Sequence, residues 1–298
     1  MLSQQELFDL EAAGEISRGV LDQLAPKIKA GEPISKLYDE IVELIAKNGA
    51  DLAFPPNISV NQVAAHDTAG IDETRKLATG SLVKIDIGAN INGMLTDTAR
   101  TFAIGGKKKL TAMIKAAEEG LEAAIEVIKP GVWPGEVGKA VQKTIASHGF
   151  RPVANLTGHQ IARGNLHAGL TIPNTKPEMT FSKKKIEEGM IIAVEPFSTS
   201  GKAGMVKNRG KALIYSSLGK NKSETGKLLF ERFKLVPFSL RDASRYLANQ
   251  GIKVGNLADN LIKDRFHSYP PLVEATNGFV AQAEHTLYVT SNGVKIIT

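Results

Sequence analysis

Apolar residues recur at helical spacing from Ser3 to Ala30, with Leu7, Leu10, Ile16, Val20, Leu21, Leu24 and Ile28 on one face, and this pattern predicts one long helix. Gly31-Glu32-Pro33 breaks it. A second helix is predicted from Ser35, with Leu37, Ile41, Leu44 and Ile45 on its apolar face and Asn48-Gly49 as its stop. Leu52-Ala53-Phe54 reads as a short strand, and residues 55–70 as a loop. Between Leu82 and Ile104 the pattern becomes strict alternation. Two such runs are joined by Asn92-Gly93, whose residues both tolerate positive φ, so a β-hairpin is predicted.

With that turn, Ile91 pairs with Met94 and Gly88 lies opposite Asp97. Asp86 and Asp97 become diagonal neighbours on one face, their Cα atoms roughly 7–8 Å apart. Two carboxylates so placed need a proton, a cation or water between them, which makes the hairpin a candidate metal site. Taken alone, the hairpin equally allows one Asp to face solvent or cap the turn.

After the hairpin the order of elements starts again, with a helix from Leu110 to Ile128, a break at Pro130-Gly131, and a second helix from Pro134 to His148 stopped by Gly149. At an offset of 100 residues Gly31 matches Gly131, Leu37 matches Val137, Ile41 matches Val141, Ile45 matches Ile145 and Gly49 matches Gly149. One inserted residue brings His66 onto His167. An internal duplication follows, and with it a single α+β domain of pseudo-two-fold symmetry with its cleft between the halves. The second half should then carry acidic counterparts on strands. Glu195 in MIIAVEPF stands where Asp86 stands in KIDIGA, and Glu284 in FVAQAEHTLYVT interrupts an apolar alternation as Asp97 does. His159, in LTGHQI, is placed at a strand or strand end.

Asp86, Asp97, His159, Glu195 and Glu284 form an oxygen-rich set with one imidazole, which suits two adjacent divalent ions and not a closed structural zinc site. The chain has no cysteine, so disulfides and thiolate ligands are excluded. His148, His267 and His285 have no comparable context and read as structural or surface residues. Charge changes the picture little: 37 basic against 31 acidic residues give +6, with lysines at 107–109, 183–185 and scattered over 202–222. Such runs suit solvated loop faces, and they also suit a contact with nucleic acid or a ribosomal surface. No apolar run spans a bilayer, and the first residues are too polar for a signal peptide, so a cytoplasmic protein is expected.

DIGANINGMLTDTARTF, LTGHQI, AVEPFSTSGKAG and VAQAEHTLYV resemble the metal-binding segments of the methionine aminopeptidases, the pita-bread metallopeptidases, over almost the whole chain. The resemblance implies that Asp86, Asp97, His159, Glu195 and Glu284 hold two divalent ions (cobalt, manganese, iron or zinc), bridged by Asp97 and Glu284. It implies hydrolysis by a bridging hydroxide with Glu195 as proton shuttle, His66 and His167 against the scissile peptide, and Phe54 and Leu166 in the methionine pocket. The expected substrate is the N-terminal methionine of nascent polypeptides, handled by a monomer with a transient ribosome contact and no membrane. Almost ninety residues separate Glu195 from Glu284, and helical patterns over 223–233, 239–250 and 256–266 resemble the helical insertion (218–270) of archaeal-like type 2 members within one catalytic domain, 1–298. Two alternatives share the fold. A Xaa-Pro peptidase would keep the five ligands behind a large N-terminal domain, and a non-catalytic ribosome- or RNA-binding relative would lose them.

Overall fold

The computed structural model describes residues 1–176, 184–219, 221–253 and 255–298. In the first half α1 (Gln4–Leu24) and α2 (Ile34–Lys47) precede β1 (Asp51–Leu52), β2 (Asn57–Val60), β3 (Val63–Ala65), β4 (Leu82–Ile87), β5 (Ala89–Ile91), β6 (Met94–Leu95) and β7 (Thr98–Ala103). Ser3 and Glu6 form a reciprocal capping box at the start of α1. The helix is shorter than predicted because Pro26 has no N–H to donate and its ring clashes with the preceding turn, so a 3-10 turn, Ala25–Lys27, replaces the last part. The stretch read as a loop, 55–70, contains the short strands β2 and β3.

The second half repeats the plan with α3 (Lys108–Val127), α4 (Pro134–Ser147), β8 (Arg151–Pro152), β9 (Thr157–Ile161), β10 (Thr171–Pro173), β11 (Ile191–Val194) and β12 (Phe197–Thr199). Its later strands are β13 (Val206–Asn208), β14 (Ile214–Ser216), β15 (Phe238–Ser239), β16 (His267–Tyr269), β17 (Leu272–Glu274), β18 (Val280–Gln282), β19 (His285–Thr290) and β20 (Gly293–Ile296). The duplication shows in the hydrogen bonds. Gly31 N–H donates to Leu77 O and Leu77 N–H to Glu32 O, and in the other half Gly131 N–H donates to Ile186 O and Ile186 N–H to Val132 O. Both glycines have φ of 87°, a backbone that side chains rarely adopt.

The antiparallel sheet β2-β4-β7 of the first half corresponds to β9-β11-β19 of the second, which β10 and β20 extend to five strands. The hairpin keeps the predicted register: Asp86 pairs with Ala99, Ile87 with Thr98 and Ile91 with Met94, so Gly88 falls level with Asp97. Alternation then sorts the faces. Val83, Ile85 and Ile87 pack under α1 and α2, and Asp86 points to the opposite side. A Cβ on Gly88 would stand 2.0 Å from Thr96 O and 2.7 Å from the Phe54 ring, so only glycine lets Phe54 close on the hairpin.

Helices α5 (Glu224–Phe233), α6 (Leu240–Asn249) and α7 (Leu257–Lys263) enclose their own core around Tyr215, Leu229, Phe238, Leu247 and Leu261. Ser223, Ser239 and Asn256 cap them, their side chains accepting from the N–H of Gly226, Asp242 and Asp259. This unit is tied to α2, where Asp39 accepts from Arg241 at 2.8 Å and from Arg245 at 2.7 Å, and Tyr38 bonds Ser239 and Asp242.

Lys107, Lys108 and Lys109 are exposed before and at the start of α3, and Lys202, Lys207, Arg209 and Lys211 are exposed about β13. Lys183 and Lys220 lie outside the described residues, and among those described no helix is long and apolar enough to cross a membrane. Lys84, by contrast, is fully buried on β4, and its Nζ donates to Asn61 O and Val280 O, each at 3.0 Å. Burial pulls its pKa down to about 7. The ammonium thereby joins a loop of the first half to a strand of the second. Lys84→Met should cost about 1–3 kcal/mol, the usual cost of leaving buried acceptors without their donor; urea denaturation with an unchanged midpoint would contradict this.

Candidate metal centre and substrate pocket

Of the four carboxylates, only Asp86 lies within a strand. Asp97 falls between β6 and β7, Glu195 follows β11, and Glu284 falls between β18 and β19. The expectation of continuous strands through both glutamates is therefore corrected. Pro196 cannot donate to a ladder, and each interruption swings a carboxylate out of the sheet into the cleft.

Asp97, His159 and Glu284 each offer a ligand atom within 4.8 Å of the others, all three buried. His159 Nε2 lies 3.3 Å from Asp97 Oδ2 and 3.9 Å from Glu195 Oε1. Gln282 Nε2 donates to Glu284 Oε2 at 3.0 Å and reaches Asp86 Oδ2 at 3.5 Å. Among the described residues His159 is the one basic side chain paired with these carboxylates. Their electrostatics follow from that. Burial, then the charge of Asp97, pushes Asp86 well above the carboxylate range. Burial followed by Asp97 and Asp86 does the same to Glu195, and burial with Asp97, Glu195 and Asp86 to Glu284. Asp97 itself rises to about 7 through burial, opposed by its hydrogen bonds.

Such a cluster asks for a cation. Asp86 Oδ1 and Glu284 Oε1 are buried and have no hydrogen-bond partner among the described residues, whereas buried acceptors are normally satisfied. A donor set of carboxylate oxygens with one imidazole matches hard or borderline divalent ions.

Phe54, Pro55, Leu166, Ile214, Pro237 and Tyr269 wall a cavity of about 80 Å³ whose floor is the carboxylate cluster. His66 and His167 line it and also a second space of about 290 Å³ that continues past Thr157 and Leu272. The His159 and His167 rings stand 4.2 Å apart, and His66 sits edge-on to Tyr269 at 5.5 Å. Burial lowers His66 and His159 to about 4 and His167 to about 3, so all three are neutral hydrogen-bonding groups at pH 7. His66 adopts φ of 63°, an uncommon backbone for a non-glycine residue.

All nine residues singled out from sequence thus meet in one cleft. Ile214, Pro237, Tyr269 and Gln282 were not foreseen, and the first two come from the unit of α5–α7. His148 bonds Glu119 at 2.6 Å on the surface, His267 stacks edge-on to Tyr269, and His285 reaches Thr298 Oγ1 at 3.2 Å, all outside the cluster.

The fold and this cleft define a metallopeptidase. The chain belongs to metallopeptidase family M24, whose model matches residues 9–291, and divalent metal ions belong to that chemistry. A methionine aminopeptidase of Archaeoglobus fulgidus is 38% identical over 96% of each chain, and one of Saccharolobus solfataricus is 32% identical over 100% of this chain and 99% of its own. The crystal structure of methionine aminopeptidase from Thermotoga maritima shares the fold, with a TM-score of 0.73 at 22% identity over 100% and 98% of the two chains.

Proposed function

We propose that this protein removes the N-terminal methionine from peptides and nascent polypeptides. One observation carries the reading: the apolar side chains of Phe54, Leu166 and Tyr269 line the same cavity as the carboxylate–imidazole cluster, so a methionine side chain held there keeps its own amino group and the amide that follows it beside the candidate metal ligands. Asp86, Asp97, His159, Glu195 and Glu284 would hold two divalent ions, with Asp97 and Glu284 shared between them. When bound, such ions lower the pKa of water and polarise an amide carbonyl.

The chain's own groups supply the rest. Phe54 and Leu166 grip the methionine side chain beside Tyr269, and the polarisable thioether suits an aromatic wall. His167 faces the scissile carbonyl oxygen, and His66 hydrogen-bonds the peptide beyond it. Glu195 carries the proton from the attacking water to the leaving amine. The remaining polypeptide leaves through the space bounded by Thr157 and Leu272. Residues 218–270 are the insertion that distinguishes type 2 members, and Pro237 within it, with Ile214 just before it, adds a wall to the pocket.

Methionine release from Met-Ala-Ser by protein reconstituted with cobalt or manganese tests the proposal, beside a Xaa-Pro dipeptide. The tripeptide should be cut and the dipeptide left whole. Cleavage of the dipeptide alone would transfer the reading to a Xaa-Pro peptidase, and no cleavage with any divalent ion would leave the ligands as inherited scaffold.

A further inference from the structure

The two half-sheets meet along a seam with little backbone ladder. Among the described residues β7 and the β18–β19 segment share one bridge, in which Glu284 N–H donates to Ala99 O at 3.1 Å. Threonine hydroxyls take the place of the missing rungs. Thr286 Oγ1 accepts the Asp97 N–H at 2.7 Å and donates to the Asp97 carbonyl at 2.8 Å. Thr98 Oγ1 donates to the Glu284 carbonyl at 2.8 Å. Thr101 does for Gln282 what Thr286 does for Asp97, accepting at 2.8 Å and donating at 2.6 Å, and Gln282 in turn holds the Glu284 carboxylate. The arrangement is reciprocal. The threonine beside Asp97 grips the main chain of Glu284, and the threonine two residues beyond Glu284 grips the main chain of Asp97.

A regular ladder cannot form here, because Asp97 and Glu284 both stand at strand interruptions. Without another tie, the main chain on either side of these carboxylates would be held across the seam by the single Glu284–Ala99 bond. A threonine hydroxyl is donor and acceptor in one group, on a short and stiff side chain, so it can close both main-chain groups of a facing residue. Thr98 and Thr286 are also buried, at 2% and 0% exposure, so water does not compete for these bonds.

We infer that Thr98 and Thr286 are positioning residues whose hydroxyls fix the main chain of Asp97 and Glu284 across the seam and so set the spacing of the two carboxylates that share the metal ions. The inference rests on the ligand set proposed above. It extends that set to side chains that touch neither ion nor substrate.

Metal-free wild type, Thr98→Val, Thr286→Val and Thr286→Ser should be titrated with cobalt(II) by calorimetry and by visible absorption, with the Tm of each metal-free protein measured alongside. Groups that hold metal ligands in place typically matter 10–100-fold in metal affinity, so both valine variants should bind cobalt about 10–100-fold more weakly with an altered spectrum, and the serine variant as wild type does. A role confined to stability would lower the Tm and leave the cobalt Kd and spectrum of the folded valine variants unchanged, which would overturn the inference. If Thr286→Val, which loses two bonds, does not fold, Thr98→Val, which loses one, decides on the same readouts. Wild type that takes up no cobalt would instead overturn the ligand set itself.

Discussion

Glu195→Gln should lower the kcat for methionine release by about 10²–10⁴-fold at saturating metal, the usual range for a lost general acid/base, with KM changed far less. The amide copies the carboxylate's shape and keeps one oxygen for a cation, but it cannot take a proton from water and return it to the leaving amine. Glu195 is placed for that transfer, since it lines both the cavity for the methionine side chain and the space that receives the rest of the peptide. His159, 3.9 Å away, is held neutral by burial and turns toward Asp97. Because Glu195 also belongs to the proposed ligand set, the comparison must be made along a metal titration. Activity within threefold of wild type at the plateau would remove Glu195 from the proton path; full rescue by added metal would reduce it to a ligand.

Much of this centre is legible in the sequence, for local reasons. Asn92-Gly93 sets a two-residue turn, the turn sets the register, and the register sets Asp86 and Asp97 on one face, each step within some twenty residues of chain. The duplication then carried the pattern to Glu195 and Glu284, because a repeated unit puts matching residues at matching places even when the sequences have diverged. What stayed hidden depends on closure between distant segments. Ile214 and Pro237 join the cavity wall in a unit that Asp39 and Tyr38 of α2 tie to the first half through Arg241, Arg245, Ser239 and Asp242, none of them near in sequence. Gln282 reads as one more polar residue in an alternating run until the seam brings it against Glu284. The short strands in 55–70 escaped for a related reason: β2 is paired with β4 and β3 with β17, a segment some two hundred residues later, and neither has the length to declare itself. The positive φ of His66 has no sequence signal at all.

Metal removal should make the protein's stability fall as pH rises from about 6.5 to 8, and a saturating divalent ion should abolish or reverse that slope. Asp97 at about 7, with Asp86, Glu195 and Glu284 well above the ordinary carboxylate range, keep protons in the folded protein that the unfolded chain has already lost by pH 6. A carboxyl whose folded pKa is raised contributes stability below its unfolded pKa and loses it as pH climbs through the folded one. Other buried groups act in the opposite sense. His66, His159, His167 and His285 are depressed to about 3–4, so they cost stability only as pH drops below 6.5 and are neutral in both states above it. Lys84, depressed to about 7, adds stability with rising pH above that point, but as one proton set against four carboxyls it does not turn the slope. A bound cation takes the place of those protons. At a hundredfold excess over its Kd it adds about 2.7 kcal/mol, and at a fixed metal concentration the gain should grow with pH because protons and metal compete for the same oxygens. Thermal unfolding with and without manganese at pH 6.5, 7.25 and 8 measures both effects. A metal-induced rise in Tm that is equal at the three values, or largest at pH 6.5, would mean that these carboxylates are not where the ion binds.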